Sequence, residues 1–460
     1  MTPPWLKPAL AYVEQWLGFQ MRAMERPGCA IAIAHEGRIV LDTAFGHADA
    51  VAGIALTPRH RFRVASHSKS FTAAAVMKLR EQKRLRLDDE AGDHVPGLHP
   101  DIAQATLTQL LSHSAGVFRD GTDSAYWSIR APFSNAARIR ADLRLPPAIA
   151  PNTRFKYSNH GFALLGMVIE AVTGEPYADW VRREIVVPAG LTETTPDMPL
   201  PRSARLARGH SGKMLLGRRV IFPGDQPTNA LAPATGFVST AADLVRFFGQ
   251  LSPNARRSIL SVASRREMAR PQWRDPYSAL ATTYGLGTIS GRTEGWDWFG
   301  HAGGFPGYIT RTLVVPDAGL TVSVLTNSVD GMAHPWLDGA LNILKAFAQG
   351  GPPTRRTSDW TGRWWSLGGA IDLVPIGDKV HVAAPGFFSP LSNVSQLEIT
   401  GRDTGRIALA GGFGSHGEPA RRVRNGAGRV TEVWLAGSRM LPERRVAREL
   451  MVRFDTPPSD

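Results

Sequence analysis

Ser66-His67-Ser68-Lys69 sets a hydroxyl and an amine three residues apart in a chain of 460 residues. Residues three apart share a helix face, so the Lys69 amine can reach the Ser66 hydroxyl. That hydroxyl is a weak nucleophile until a partner takes its proton. A lysine serves only if burial or a neighbouring cation makes its neutral form accessible. A helix start also supplies unpaired N–H groups and partial positive charge. Both favour the oxyanion formed when serine attacks a carbonyl, with the N–H of Ser66 as one donor. The spacing arises by chance about once or twice in a chain of this length. Here no other lysine has a serine three positions before it.

Two further groups carry chemistry. Phe155-Lys-Tyr-Ser-Asn159 precedes an apolar helical pattern. A loop there can present Tyr157 and Asn159 to a cleft while Ser158 points away. A phenol beside a lysine can act as base toward Ser66 and later as acid toward the leaving group. An Asn159 amide both donates and accepts, so it can hold both sides of a substrate amide. Phe299-Gly-His-Ala-Gly-Gly304 is the third group. Its small residues let a substrate backbone lie against a strand edge. Gly304 then offers a second oxyanion N–H, Gly303 lines the substrate, and His301 orients it or shares a proton. Taken singly, a Tyr-x-Asn is as good a surface turn, and a histidine among glycines as good a turn residue.

Together and in this order, the three groups resemble the serine β-lactamase and D,D-peptidase superfamily, which includes class C β-lactamases, D-aminopeptidases and related esterases. Flanking segments agree. Leu110-Leu-Ser-His-Ser-Ala-Gly116 is similar to the family's "LLSHTSG" and Ala234-Thr-Gly-Phe-Val-Ser-Thr240 to its "AGGLVST". Val322-Ser-Val-Leu-Thr-Asn327 resembles a late core strand. The resemblance spans roughly residues 25 to 350 and leaves His113 a structural role. It implies an acyl-enzyme on Ser66, with Lys69 and Tyr157 sharing the base role. One departure matters. Penicillin-binding enzymes and class C β-lactamases carry Lys-Thr-Gly where this chain has His301-Ala302-Gly303. The lost lysine helps hold a substrate carboxylate in those relatives. D-aminopeptidase, amidase or esterase activity is therefore expected ahead of β-lactamase or D,D-carboxypeptidase activity. Acyl transfer to another acceptor and a binding protein without turnover are the remaining alternatives.

The elements that must position these groups are legible in part. Trp5 to Met24 has an amphipathic helical pattern, with Leu6, Leu10, Val13, Leu17, Met21 and Met24 on one face. Cys29–Ala34 and Arg38–Ala44 read as a hairpin turning at Glu36-Gly37. Phe62–Ala65 reads as extended and Ser66–Lys83 as helix. Residues from about 85 to 235 alternate helical patterns with loops and predict a helical lobe, with helices near Leu107–Leu111, Gly161–Thr173 and Tyr177–Ile185. Strand patterns return at Gly236–Thr240, Tyr284–Ile289, Trp296–Gly300, Tyr308–Val315 and Leu320–Asn327, the last three adjacent and antiparallel. Helices are expected at Ala242–Leu251 and Trp336–Ala348. Gly350-Gly-Pro-Pro353 reads as a linker. Short alternating runs after it predict a small antiparallel β-barrel or sandwich. The expected fold is α/β. A β-lactamase-like body, an antiparallel sheet flanked by helices plus the lobe, occupies residues 1–350, and a β-domain occupies 355–460.

Composition excludes several classes. A hydrophobic fraction of 43% and a charged fraction of 20% are those of a globular chain. The net charge is +13, yet the arginines come in small groups such as Arg138 and Arg140, Arg218 and Arg219, Arg421 and Arg422, and Arg444 and Arg445. This predicts a solvated basic surface and no nucleic-acid partner. A lone Cys29 in an apolar run reads as a small buried hydrophobe. No run of about eighteen apolar residues indicates a membrane span. No secretory pattern is visible, so the chain as written reads as cytoplasmic, and a leader removed beforehand would make it periplasmic. Gly412-Phe-Gly-Ser-His-Gly417 matches a dinucleotide fingerprint but opens no helix, so no such site is expected. Neither metal nor other cofactor is implied. The expected partner is a small-molecule or peptide substrate, and oligomeric state is not readable.

Overall fold

The computed structural model describes residues 2–274, 282–411 and 414–455. Gly412 and Phe413, which open the rejected fingerprint, lie outside the described residues. By contacts the chain forms two compact units, Arg26–Leu337 on one side and Met1–Glu25 with Asp338–Asp460 on the other. Helix α1 (Leu6–Ala23) belongs to the second unit.

The larger unit starts with β1 (Gly28–His35) and β2 (Arg38–Asp49), which form the expected hairpin about Glu36-Gly37. All of β1 but His35 is buried, which explains its unbroken apolar run: a strand covered on both faces has no polar alternation. Helices α2 (His67–Glu81), α3 (Asn159–Thr173) and α4 (Ala241–Leu251) follow, then β3 (Trp296–Phe305), β4 (Tyr308–Val315) and β5 (Leu320–Thr326). Helix α5 (Ala333–Gly350) straddles the division between the units.

Among the described residues the sheet has nine strands. Their order is Ile54–Ala55, β2, β1, β5, β4, β3, Ile289–Thr293, Thr283–Tyr284 and Trp273–Arg274. β3, β4 and β5 are antiparallel neighbours as expected. β1 pairs with β5, Ile31 opposite Val324 and Ile33 opposite Val322, so the first hairpin completes a sheet built mostly from residues far along the chain. α4 packs on this sheet and caps its own N-terminus through Thr240, which accepts from the Asp243 N–H at 3.3 Å. The regular structure in residues 85–235 is helical, set among turns and loops, apart from one short strand pair, Gly209–His210 with Ile221–Phe222.

Two strand expectations are corrected. Tyr284–Ile289 is two strands separated by a turn. Gly287 there has φ +68°, and a Cβ would lie 2.5 Å from the Ala73 Cβ and 2.9 Å from the Lys69 carbonyl. The turn is thus pressed onto α2, where only glycine fits. β3 also runs past Gly300 through Gly304 to Phe305, paired with β4 all the way.

α2 is the hub of the unit. Residues His67 to Met77 are all buried. Phe71 is stacked between Phe237 and Phe247, with ring centroids 4.2 and 3.7 Å away. A helix buried on all sides carries its one lysine of the first turn, Lys69, into the interior with it.

The smaller unit holds eight antiparallel strands in sequence order, from Gly362–Ser366 to Ser438–Met440. Trp365 of the first strand bridges to Leu441 just after the last, which nearly closes a barrel around Trp360, Trp364, Leu373, Val380 and Val433. In the same unit, α1 anchors through Gln20, whose Nε2 donates to the Pro385 carbonyl at 2.6 Å. A final helix, Glu443–Phe454, has no counterpart in the sequence reading. Arg422 departs from the solvated-surface expectation. It is 6% exposed, lies over the Trp360 ring and pairs with Asp359 and Asp403 at 3.0 and 3.1 Å. Among the described residues no helix is long and apolar enough to cross a membrane.

Candidate active site

The chain enters the site along the short strand Phe62–Arg63 and turns at Ala65, whose φ is +47°. A non-glycine residue in that left-handed region is strained by about 1 kcal/mol or more and persists only where its surroundings fix it. They do so here. The Ser68 hydroxyl donates to the Ala65 carbonyl at 2.6 Å and accepts from the Phe237 N–H at 3.0 Å. The Val64 N–H donates to the Phe237 carbonyl at 3.0 Å. The His67 imidazole bonds the Val64 carbonyl at 2.9 Å and the Thr312 hydroxyl of β4 at 3.0 Å. Two of the four motif residues thus hold the junction. Ser66 is left at the N-cap of α2, half-buried.

Lys69 is wholly buried. Its Nζ lies 2.7 Å from Asn159 Oδ1, 2.9 Å from the Ala234 carbonyl and 3.2 Å from Ser66 Oγ. Burial pushes the Lys69 ammonium well below the usual lysine range. The Asp120 carboxylate pulls it partly back, and the Arg119 guanidinium adds to the fall.

Tyr157 donates its hydroxyl to Ser66 Oγ at 2.7 Å. Burial pushes its phenol above the usual range, only partly offset by the Ser66 hydrogen bond and Arg119. The loop that carries it is held from behind by His113. The His113 Nδ1 accepts from the Ser158 N–H at 3.1 Å, its carbonyl accepts from the Lys156 N–H at 2.7 Å, and its ring lies 4.2 Å from that of Tyr157. This is the structural role expected of His113. Ser158 points away, capping α3 by accepting from the Gly161 N–H at 2.7 Å.

Asn159 is buried, and both ends of its amide meet protein groups. Oδ1 faces Lys69, and Nδ2 donates to Asp120 Oδ1 at 2.6 Å. A carboxylate only accepts, which fixes which end of the amide is which. Asp120 also accepts from Trp127 Nε1 at 2.9 Å and pairs with Arg119 at 3.0 Å. The sequence reading turns both amide ends toward substrate, whereas the structure has them spanning Lys69 and Asp120.

His301 is buried on β3, with Nε2 3.0 Å from the Tyr284 hydroxyl. Burial, then the neighbouring His67 and Lys69, hold its imidazole well below the usual histidine range, which favours the neutral ring. At Gly303 a Cβ would sit 2.3 Å from the Val64 carbonyl oxygen, so glycine is what lets β3 lie against the chain just before Ser66. Gly304 is exposed, and a Cβ there would meet only Ile309 Cδ1, at 4.0 Å.

The beta-lactamase family profile matches residues 16–344 of this geometry's chain. The chain belongs to the beta-lactamase family. Penicillin-binding protein 4 of Amycolatopsis lactamdurans is 30% identical over 316 residues, covering 65% of this chain and 81% of that protein. The D-amino acid amidase of Ochrobactrum anthropi SV3, solved with L-phenylalanine amide, is 25% identical. Its TM-score is 0.63, over 73% of this chain and 98% of its own. The octameric penicillin-binding protein homologue of Pyrococcus abyssi shares the fold, with 23% identity and a TM-score of 0.65 over 94% of this chain and 99% of its own.

In this member of the beta-lactamase family, three site neighbours escaped the sequence reading. Ala234 contributes a backbone carbonyl, which any residue would supply, although its segment is one of those that carry the family resemblance. Tyr284 lay inside a run read as plain strand. Asp120 stands four residues beyond Gly116 with no motif of its own, and only the folding of its loop over α3 brings it to Asn159.

Proposed function

We propose that the protein is a serine hydrolase that takes the acyl group of an ester or amide onto Ser66 and passes it to water. The observation that carries this is the setting of Lys69. A neutral amine has two N–H groups and one lone pair. Asn159 Oδ1 and the Ala234 carbonyl, both pure acceptors, take the two N–H groups. The lone pair is then left for Ser66 Oγ, and burial favours that neutral form.

Lys69 is the base in this reading. It takes the Ser66 proton as Oγ attacks the carbonyl carbon, and the N–H groups of Ser66 and Gly304 hold the oxyanion. Tyr157, a protonated phenol already donating to Oγ, gives its proton to the leaving oxygen or nitrogen and is reprotonated from Lys69. The reverse sequence, with water as nucleophile, cleaves the acyl-enzyme. Asn159 holds Lys69 in place, and the second lone pair of Oδ1 and the second N–H of Nδ2 are what it can offer substrate.

Neutral His301 supplies no cation where relatives have lysine. Esters and amides, D-aminoacyl amides among them, are therefore favoured over β-lactams. β-Lactamase or D,D-carboxypeptidase activity is the second reading, favoured by the 30% identity to a penicillin-binding protein. The test is an uncharged fluorophosphonate read by intact mass, followed by p-nitrophenyl esters, D- and L-aminoacyl p-nitroanilides and nitrocefin. One adduct on Ser66 and ester or anilide turnover above that of nitrocefin are expected. No adduct would mean a binding protein, and nitrocefin as best substrate would reverse the ranking.

Asp120→Asn gives a separate check. The Asp120 charge raises the Lys69 pKa within its overall depression. Its removal lowers that pKa further, so the neutral base persists to lower pH. The acid limb of the kcat/KM profile is expected to move to lower pH while kcat falls severalfold, because a neutral amide oxygen anchors Asn159 more weakly than the carboxylate does. A limb that stays put or moves up would sever Asp120 from Lys69.

A further inference from the structure

A cavity of about 280 Å³ opens beside Gly304, lined by Arg119, Trp127, Phe305, Ile309 and Val329. A larger one, about 350 Å³, lies at the end of the barrel against the final helix and contains none of the site residues. The cavity beside Gly304 touches the proposed oxyanion donor. Its walls are aromatic and aliphatic, with the Trp127 ring 5.9 Å from that of Phe305, which is backed by Phe133 at 5.5 Å. We propose that this cavity receives the acyl group of the substrate and that Arg119 at its mouth selects acyl groups bearing a carboxylate over those bearing an ammonium. The inference rests on the acyl-enzyme reading above.

The side of the site follows from the proton donor. Tyr157 must lie next to the leaving atom. Behind it stand His113, with rings 4.2 Å apart, then Tyr284 at 4.7 Å from His113, then His301 bonded to Tyr284. The leaving group therefore departs on the His301 side of β3. Gly304 and Phe305 lie further along the same strand, so the cavity is on the acyl side.

The charge follows from exposure. Asp120 pairs with Arg119, but its side chain is only 14% exposed and its oxygens are taken by Asn159, Trp127 and Arg119 itself. The Arg119 side chain is 66% exposed. Asp330, which follows Val329, is matched by Arg26 and Arg219. A group entering the cavity thus meets a guanidinium and no free carboxylate among the groups named. Positive charge from Arg119 also reaches the floor of the site, where it lowers the Lys69 and Tyr157 pKa values. Among the esters and amides favoured over β-lactams, free-amine aminoacyl substrates, D-aminoacyl amides included, then rank below neutral or anionic acyl groups of short aromatic or aliphatic type.

The test uses three p-nitrophenyl esters with one leaving group: 4-carboxyphenylacetyl, 4-methylphenylacetyl and 4-trimethylammoniophenylacetyl. Ratios of kcat/KM within each enzyme cancel any general effect of a substitution. Wild-type protein is expected to favour the carboxylate ester over the methyl ester about five- to tenfold and to place the cationic ester last. Raising salt to about 0.5 M should compress the order. Arg119→Gln should flatten it, and Arg119→Lys should keep it. No order in the wild type, or the same order in Arg119→Gln, overturns the proposal when Ser66 still reacts with the fluorophosphonate. A wild type that neither labels nor hydrolyses any of the three fails at the earlier step, the acyl-enzyme itself.

Discussion

Ser66→Ala is expected to abolish turnover of every ester and amide the protein accepts, a fall on the order of 10⁶-fold, as when a catalytic serine is removed elsewhere. The fluorophosphonate adduct should vanish with it. The fold should stay. Ser66 is half-buried at a helix start, and the junction around it is held by Ser68, His67 and Val64 rather than by Ser66. Lys69 keeps Asn159 and Ala234 as partners when the hydroxyl is gone. The thermal midpoint should therefore move by only a few degrees, about 1 kcal/mol for one hydrogen-bonding group. Loss of activity with the midpoint within a few degrees of wild type identifies the nucleophile. Hydrolysis persisting within tenfold of wild type would mean that another group attacks.

Parts of this arrangement are written locally in the chain and parts are not. The Ser66 to Lys69 spacing, the loop before α3 and the late strand with His301 and Gly303 can be read because each depends on residues a few positions apart. The order of the groups then calls up a known fold. β1 against β5 cannot be read in this way, since Ile31 and Val324 are nearly three hundred positions apart and both strands are simply apolar. The turn at Gly287 hides inside a strand-like run because its cause, the surface of α2 at Ala73 and Lys69, is remote in sequence. Asp120 is missed for the same reason. Its function depends on which end of Asn159 it meets, a property of packing and not of pattern. Arg422 looks like surface charge until Asp359, Asp403 and Trp360 close around it.

Lys69→Ala and Tyr157→Phe are each expected to lower the acylation rate about 10²- to 10⁴-fold, the scale of general acid–base loss. The double variant should be little worse than the poorer single one. Both groups bond to the same Ser66 oxygen, and in the proposed mechanism their proton travels between them during one turnover, so removing either breaks the relay. The two singles should differ in their pH profiles. Lys69 must be neutral to accept, and its depressed pKa means that activity is present above that pKa and lost as pH falls through it. Tyr157 must be protonated to donate, and its raised pKa keeps the alkaline loss far from neutrality. Tyr157→Phe should therefore retain the acid limb and shed the alkaline one, whereas Lys69→Ala should lose the acid limb. Lys69→Arg should be as inactive as Lys69→Ala, because a guanidinium stays charged across the accessible range and cannot accept the Ser66 proton. Multiplying penalties in the double variant, or an acid limb that survives Lys69→Ala, would assign the base to some other group.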